Sequence, residues 1–260
     1  MLPVATPRLF RAIRWVRLTL HIVHAFVMVG LLYPRVSPPR RARLTQRWSA
    51  NLLRILNIRL DVLGARPLVD AANLIVVANH VSWLDIFVIN AATPASFIAK
   101  SEIRDWPLAG WLVEKSGTIF IRRTQRSDTA RINREIHAAL AGGLTVGLFP
   151  EGTTTEGDRL LKFHSSLFEP AVTHGATLCP VAIRYVTPAG QYCIAATYAG
   201  DISFSESIKR IIGQRAITAE MTFALAIAAD GAPRRGLATA CEVAIASMLN
   251  VPNPDAHQRF

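Results

Sequence analysis

The sequence predicts an α/β fold, a mainly parallel sheet flanked by helices, preceded by a basic, membrane-docking helix pair. Three observations lead there. From Arg59 onward, short β-rich runs alternate with helical patterns. The first sixty residues hold eleven arginines and no acidic residue. Within them, Leu18–Tyr33 runs without a charge. An apolar content of 51% is enough for a sizeable core and excludes a disordered chain.

The formal net charge of +11 belongs wholly to the N-terminal segment, because the remaining two hundred residues carry eighteen basic and eighteen acidic side chains. A basic segment suits anionic lipid headgroups or nucleic acid. The apolar stretch decides for lipid, since nucleic-acid binding has no use for it. As a helix, Leu18–Tyr33 would reach about 24 Å against roughly 30 Å of hydrocarbon. Arginines stand on both sides of it, so the helix is expected to lie in one leaflet rather than to span. A second helix is expected over Arg40–Asn57, with Arg40, Arg43, Arg47 and Arg54 on one face and Leu44, Trp48, Leu52 and Ile55 on another. A cleaved signal peptide would need a small-residue cleavage site, which Tyr33-Pro34-Arg35 does not offer. The expected division is residues 1–58 for the membrane-anchoring helices and 59–260 for the α/β domain.

Strands are expected at Arg59–Leu63, Leu74–Asn79, Ser96–Ala99, Thr118–Ile121, Leu144–Phe149, Leu178–Tyr185, Tyr192–Ala196 and Ala216–Ala224. Helices are expected at Trp83–Asn90, Trp106–Lys115, Ser127–Ala141, Ser165–His174, Phe204–Ile212 and Pro233–Leu249, with Gly142-Gly143 stopping the third of these. In such sheets chemistry collects beyond the carboxyl ends of the strands, here after Asn79, Ile121, Phe149 and Tyr185. Cys179, Cys193 and Cys241 form no C-x-x-C pair and lie among apolar residues, which suits buried reduced thiols rather than zinc.

The loop after the first of these strand ends carries His80 and, five residues on, Asp85. If a helix starts near Ser82, the Asp85 carboxylate can reach back to the imidazole, fix its tautomer and support it as a general base. The same residues also fit a capping box, Ser82-x-x-Asp85, beside a core histidine. A second loop, Phe149-Pro150-Glu151-Gly152-Thr153, offers a carboxylate for a substrate polyol, or merely a solvated glutamate after a proline turn. Arg122 and Arg123, after Gly117–Ile121, suit an oxyanion or phosphate clamp, though exposed arginine pairs are common.

Taken in order, these blocks resemble the phospholipid/glycerol acyltransferase family that includes the lysophosphatidate acyltransferases. The N-H-x-x-x-x-D block matches Asn79, His80 and Asp85. The G-x-x-F-I-x-R block matches Gly117, Phe120, Ile121 and Arg123, the F-P-E-G-T block matches Phe149–Thr153, and Cys179–Ile183 matches a final V-P-V-A-I-type block. The resemblance implies an O-acyltransferase that uses His80 as base and Asp85 as its orienter. It implies an acyl acceptor held by Arg122, Arg123, Glu151, Gly152 and Thr153. It implies no cofactor, since the thioester of acyl carrier protein or coenzyme A is the co-substrate and supplies the driving force, and it implies residence at the cytoplasmic face of the inner membrane. The sequence holds no G-x-S-x-G elbow, no P-loop and no G-x-G-x-x-G, so a serine hydrolase and nucleotide cofactors find no support.

Two departures bear on the acceptor. Thr154 stands where the family usually has Arg, and His164 follows Phe163 where Lys is common. Both remove fixed positive charge. Lysophosphatidate, a phosphate monoester, remains the first expected acceptor because Arg122 and Arg123 are kept. A lyso-ornithine lipid is the alternative that the Thr-Thr continuation resembles, and a lipid-binding protein without catalysis is the alternative of another class. His21, His24, His137, His174 and His257 have no partner legible in the sequence and are expected to pack or to face solvent.

Overall fold

The computed structural model describes residues 6–66, 73–100, 109–115, 118–121 and 127–254. Sixteen regular α and β elements run through them. Helix α1 (Arg8–Val27) leads into a π-helical turn (Met28–Leu32) and a 3₁₀ turn (Tyr33–Arg35), followed by α2 (Pro38–Ile55) and β1 (Ile58–Gly64). Then come β2 (Leu74–Ala78), α3 (Leu84–Ala92), β3 (Ser96–Lys100), α4 (Ala109–Lys115), β4 (Ile119–Ile121), α5 (Ser127–Ala141) and β5 (Val146–Leu148). The chain closes with α6 (Glu169–His174), β6 (Thr177–Val186), α7 (Phe204–Gly213), β7 (Ile217–Phe223), β8 (Ile227–Ala228) and α8 (Arg234–Leu249).

Among the described residues the strands form one sheet in the order β1-β7-β6-β2-β5-β3-β4, with β8 beside the start of β6. All pairings are parallel except those of β6 with β7 and β8. The mainly parallel sheet is therefore as expected. Strand β2 is buried on both sides, and its alternation sorts the two layers. Leu74, Val76 and Ala78 face a core built with Leu52 and Leu53 of α2, Leu84 and Val88 of α3 and Ile211 of α7. Ile75 and Val77 face the opposite core, with Ile136 of α5, Ala171 of α6 and Cys241 of α8.

Pro180 sits inside β6, where a missing N–H should cost a ladder bond. Its carbonyl accepts from the N–H of Ala224, in the gap between β7 and β8. A strand residue points its N and its carbonyl to the same side, so the proline nitrogen meets that gap and no donor is wanted there.

The Tyr192–Ala196 segment is not a strand. Tyr192 makes a single bridge to Val186, and Ile194–Ala196 turns as a 3₁₀ helix. A hairpin through Thr187 and Gln191 and the Cys193 N–H bonded to the Tyr185 carbonyl (2.9 Å) use the backbone that a strand would need. The helical run at the N-terminus is also longer than the charge-free stretch, extending over Arg8–Arg35. One of its faces, Leu18, His21, Ala25 and Met28, is buried. The other, Leu9, Ile13, Val16, Leu20, Val23, Val27 and Leu31, is apolar at helical spacing and exposed.

This helix is fixed to the body along its length. Arg14 donates to the carbonyls of Ile212, Gln214 and Arg215 at 2.6–3.0 Å, satisfying acceptors at the C-terminal end of α7. His21 and Trp48 stack at 4.4 Å; the His21 Nε2 donates to the Trp48 carbonyl, and the Trp48 indole donates back to the His21 carbonyl. The Tyr33 hydroxyl bonds Thr45 at 2.6 Å. Gln46 of α2 in turn donates to the carbonyls of Ala91 and Ala92 at the end of α3. His21, whose partner was not legible in the sequence, thus packs and bonds on Trp48 and joins the two helices.

Candidate active site

The β2 and β5 loops meet because the two strands are parallel neighbours. Asn79 extends the β2–β6 ladder with its side chain. Its amide donates to the Ile183 carbonyl (3.0 Å) and accepts from the Ile183 N–H (2.8 Å). The chain is thereby fixed as it leaves the sheet, and His80 follows at the sheet edge.

His80 Nδ1 lies 2.8 Å from Asp85 Oδ2. A carboxylate oxygen accepts here, so Nδ1 carries the hydrogen, and Nε2 keeps its lone pair. The imidazole is 21% exposed and Asp85 is fully buried. Oδ2 of Asp85 also accepts from the N–H groups of Val81 (2.7 Å) and Ser82 (2.9 Å), at the entrance to α3. Oδ1 accepts from the Tyr185 hydroxyl at 2.7 Å. The turn and the His80–Asp85 pair therefore share one carboxylate, which closes the turn and orients the ring.

The imidazole plane is set by stacking. His80 lies on Phe149 (4.1 Å, 12°), and Phe149 lies on Phe97 (5.5 Å, 17°). Gly147 makes room for this column, since a Cβ there would fall 2.2 Å from the Phe97 ring.

Glu151 is 3% exposed. One carboxylate oxygen accepts from the His80 N–H (2.7 Å), the other from the Leu161 N–H (2.8 Å). Burial pushes its carboxyl up to about 7, against the two backbone donors, with the charges of Asp85 and Glu242 adding to the rise. The side chain thus braces the His80 loop from behind, rather than opening toward a substrate polyol. The Thr155 N–H bonds the His80 carbonyl at 2.9 Å, so both backbone groups of His80 are held by the second loop. Gly152 has φ +74, a conformation that favours glycine, and the His164 ring would lie 3.2 Å from a Cβ at this position. Thr153 is exposed. The Thr154 hydroxyl donates to the Tyr198 carbonyl at 2.5 Å. His164 is exposed, and its N–H closes the loop onto the Pro150 carbonyl. Arg122 and Arg123 lie outside the described residues, as do Gly117, Trp106 and His257.

Sequence reasoning missed Tyr185 and the Phe97–Phe149 column. A tyrosine in a largely apolar strand is a usable signal, because a buried phenol needs a partner. The column has no such signal, since it rests on strand order. A groove of about 580 Å³ at Arg54, Arg59, Thr187 and Glu220 holds none of the motif residues.

Comparisons with known proteins place the chain in a family. The family model "Acyltransferase" matches residues 59–184. A 1-acyl-sn-glycerol-3-phosphate acyltransferase of Neisseria meningitidis is 37% identical over 214 residues, 82% of this chain and 83% of that protein. A lyso-ornithine lipid O-acyltransferase of Pseudomonas aeruginosa is 45% identical over 147 residues, 56% of this chain and 55% of that protein. In fold, the chain is similar to the crystal structure of PlsC, the 1-acyl-sn-glycerophosphate acyltransferase of Thermotoga maritima. The TM-score is 0.66 at 22% identity, over 92% of this chain and 96% of that one.

Proposed function

This chain belongs to the acyltransferase family, and from that premise we propose that it moves a fatty acyl group from a thioester to the hydroxyl of a lysolipid, with His80 as general base. The observation that carries this reading is the 2.8 Å contact of His80 Nδ1 with the buried Asp85 carboxylate, which leaves Nε2 free to take a proton. A lipid hydroxyl is a poor nucleophile until its proton is removed. Nε2 accepts that proton as the oxygen attacks the thioester carbonyl, and the imidazolium is supported by Asp85. The C–S bond then breaks, and the departing sulfur takes the proton back from His80. An ester and a free thiol result, with no acyl-enzyme and no cofactor. The donor is acyl carrier protein or coenzyme A thioester.

The first acceptor is 1-acyl-sn-glycerol-3-phosphate, giving phosphatidate, with Arg122 and Arg123 binding the phosphate and Gly152 and Thr153 at the rim. A second reading, lyso-ornithine lipid, is favoured by one observation: the side chain at 154 is a threonine spent on the Tyr198 carbonyl, so it brings no cation to the headgroup. The exposed apolar stripe of α1 supports a monotopic enzyme at a membrane surface, which we take to be the cytoplasmic face of the inner membrane. A helix held at Arg14, His21 and Tyr33 stays on the body, so its outer face is the one available to lipid.

The test offers purified protein each lysolipid with each thioester and identifies the product by mass. Phosphatidate formed by wild type and lost in His80→Ala supports the first reading. Acylated ornithine lipid alone selects the second. Undiminished turnover by His80→Ala removes the base.

A further inference from the structure

On the opposite face of the sheet from His80, two imidazoles meet. His137 lies on α5 and His174 ends α6. His137 Nδ1 and His174 Nε2 face each other directly, with ring centroids 4.0 Å apart and planes inclined at 60°. His137 is exposed and His174 is half-buried.

We infer that His137 and His174 form a two-imidazole chelate for a late first-row divalent cation such as Zn²⁺, Ni²⁺ or Cu²⁺. Imidazole nitrogen is a preferred ligand for these ions. In the free protein one of the two facing nitrogens donates a hydrogen to the other. A cation needs both lone pairs, and tautomerisation supplies them by moving the hydrogen to the ring's other nitrogen. Metal–nitrogen bonds of about 2.0–2.1 Å set two ligating nitrogens about 3 Å apart, within the reach of rings already this close. The neutral imidazole is the ligating form.

The scaffold is rigid. Ile136, beside His137, and Ala171, one turn before His174, are buried in the same core, so little ordering remains to be done on binding. Water or a mobile anion completes the coordination shell. The cation is a brace across α5 and α6, and neither ring belongs to the face that carries the His80–Asp85 pair.

The experiment uses full-length, tag-free protein in detergent. Cu²⁺ titrated against it is followed by electron paramagnetic resonance, and Zn²⁺ by thermal unfolding. One Cu²⁺ per chain with a two-nitrogen signature is expected, together with a Zn²⁺-dependent rise in Tm. His137→Gln and His174→Gln should each bind at least tenfold more weakly and lose that rise, with acyl transfer retained as proof of folding. His24→Ala, which alters another exposed histidine, should behave as wild type. Wild type without stoichiometric Cu²⁺, or both Gln variants binding as wild type does, overturns the chelate.

Discussion

The carboxylate of Glu151 receives the backbone N–H of His80 at 2.7 Å, across the boundary between two parallel strands. Its second oxygen receives the Leu161 N–H, so one buried carboxyl group ties the β2 loop to both ends of the β5 loop. An acceptor-only group suits this place, because both partners are donors.

Glu151→Gln tests that brace. The amide keeps one acceptor but turns an NH₂ toward the other N–H, leaving a buried donor unpaired at a cost of about 1–3 kcal/mol. Turnover should fall while the fold survives. The pH dependence of stability should change as well. The folded carboxyl titrates near 7 against a reference of 4.5, so between these values the folded chain keeps a proton that the unfolded chain has released. The contribution of this group to stability is present below pH 4.5 and is lost as pH rises through 7. Denaturant titrations across that window should show the slope in wild type and a flatter profile in the Gln variant.

The spacing of His80 and Asp85 was legible because both lie on one short turn, and α5 was legible from end to end because its amphipathic pattern and its Gly stop are local. The orientation of Glu151 was not, since its partner is a backbone group 71 residues away. The charge-free stretch Leu18–Tyr33 is shorter than the helix because the arginines before it recur along the helix: Arg17 is exposed, and Arg14 is bonded to the carbonyls of Ile212 and Gln214. Tyr192–Ala196 looked like a strand by composition, but its pairing with β6 stops after the Tyr192–Val186 bridge, where Ile194–Ala196 turns into a 3₁₀ helix. Sequence carried the residues of the proposed site; the supports behind them came from strand order.

Tyr185 is one such support. Its hydroxyl is fully buried and is held well above its usual range by burial and by Asp85, so it remains a donor at all working pH values. Tyr185→Phe removes one of the four donors on the Asp85 carboxylate. We expect kcat to fall about tenfold, in line with roughly 1.4 kcal/mol, with KM for the lysolipid little changed because the phenol reaches no substrate. A steady-state comparison of the two constants checks this; a rise in KM alone would place Tyr185 at the acceptor instead.

Gly147→Ala probes the aromatic column. The new methyl would overlap the Phe97 ring, which carries Phe149 and through it His80. Overpacking of this kind costs about 1–3 kcal/mol, so Tm should drop by several degrees and kcat should fall with it. Adding Phe97→Leu shortens the obstructing side chain, and the double variant should regain stability. Recovery without regained activity would show that the stack, and not stability alone, sets the plane of the imidazole.

The outer stripe of α1 separates catalysis from access to substrate. Leu20 and Val23 are 63% and 54% exposed and touch nothing that the core needs. Replacing both with Asp puts two carboxylates where acyl chains would lie and should release the protein from vesicles of anionic phospholipid in flotation assays. Because Arg14 and His21 still hold the helix to the body, activity on lysolipid in detergent micelles should persist while activity on bilayer-resident lysolipid falls at least tenfold. Loss of both activities together would mean that the stripe packs against protein, and the membrane would then have to meet another surface.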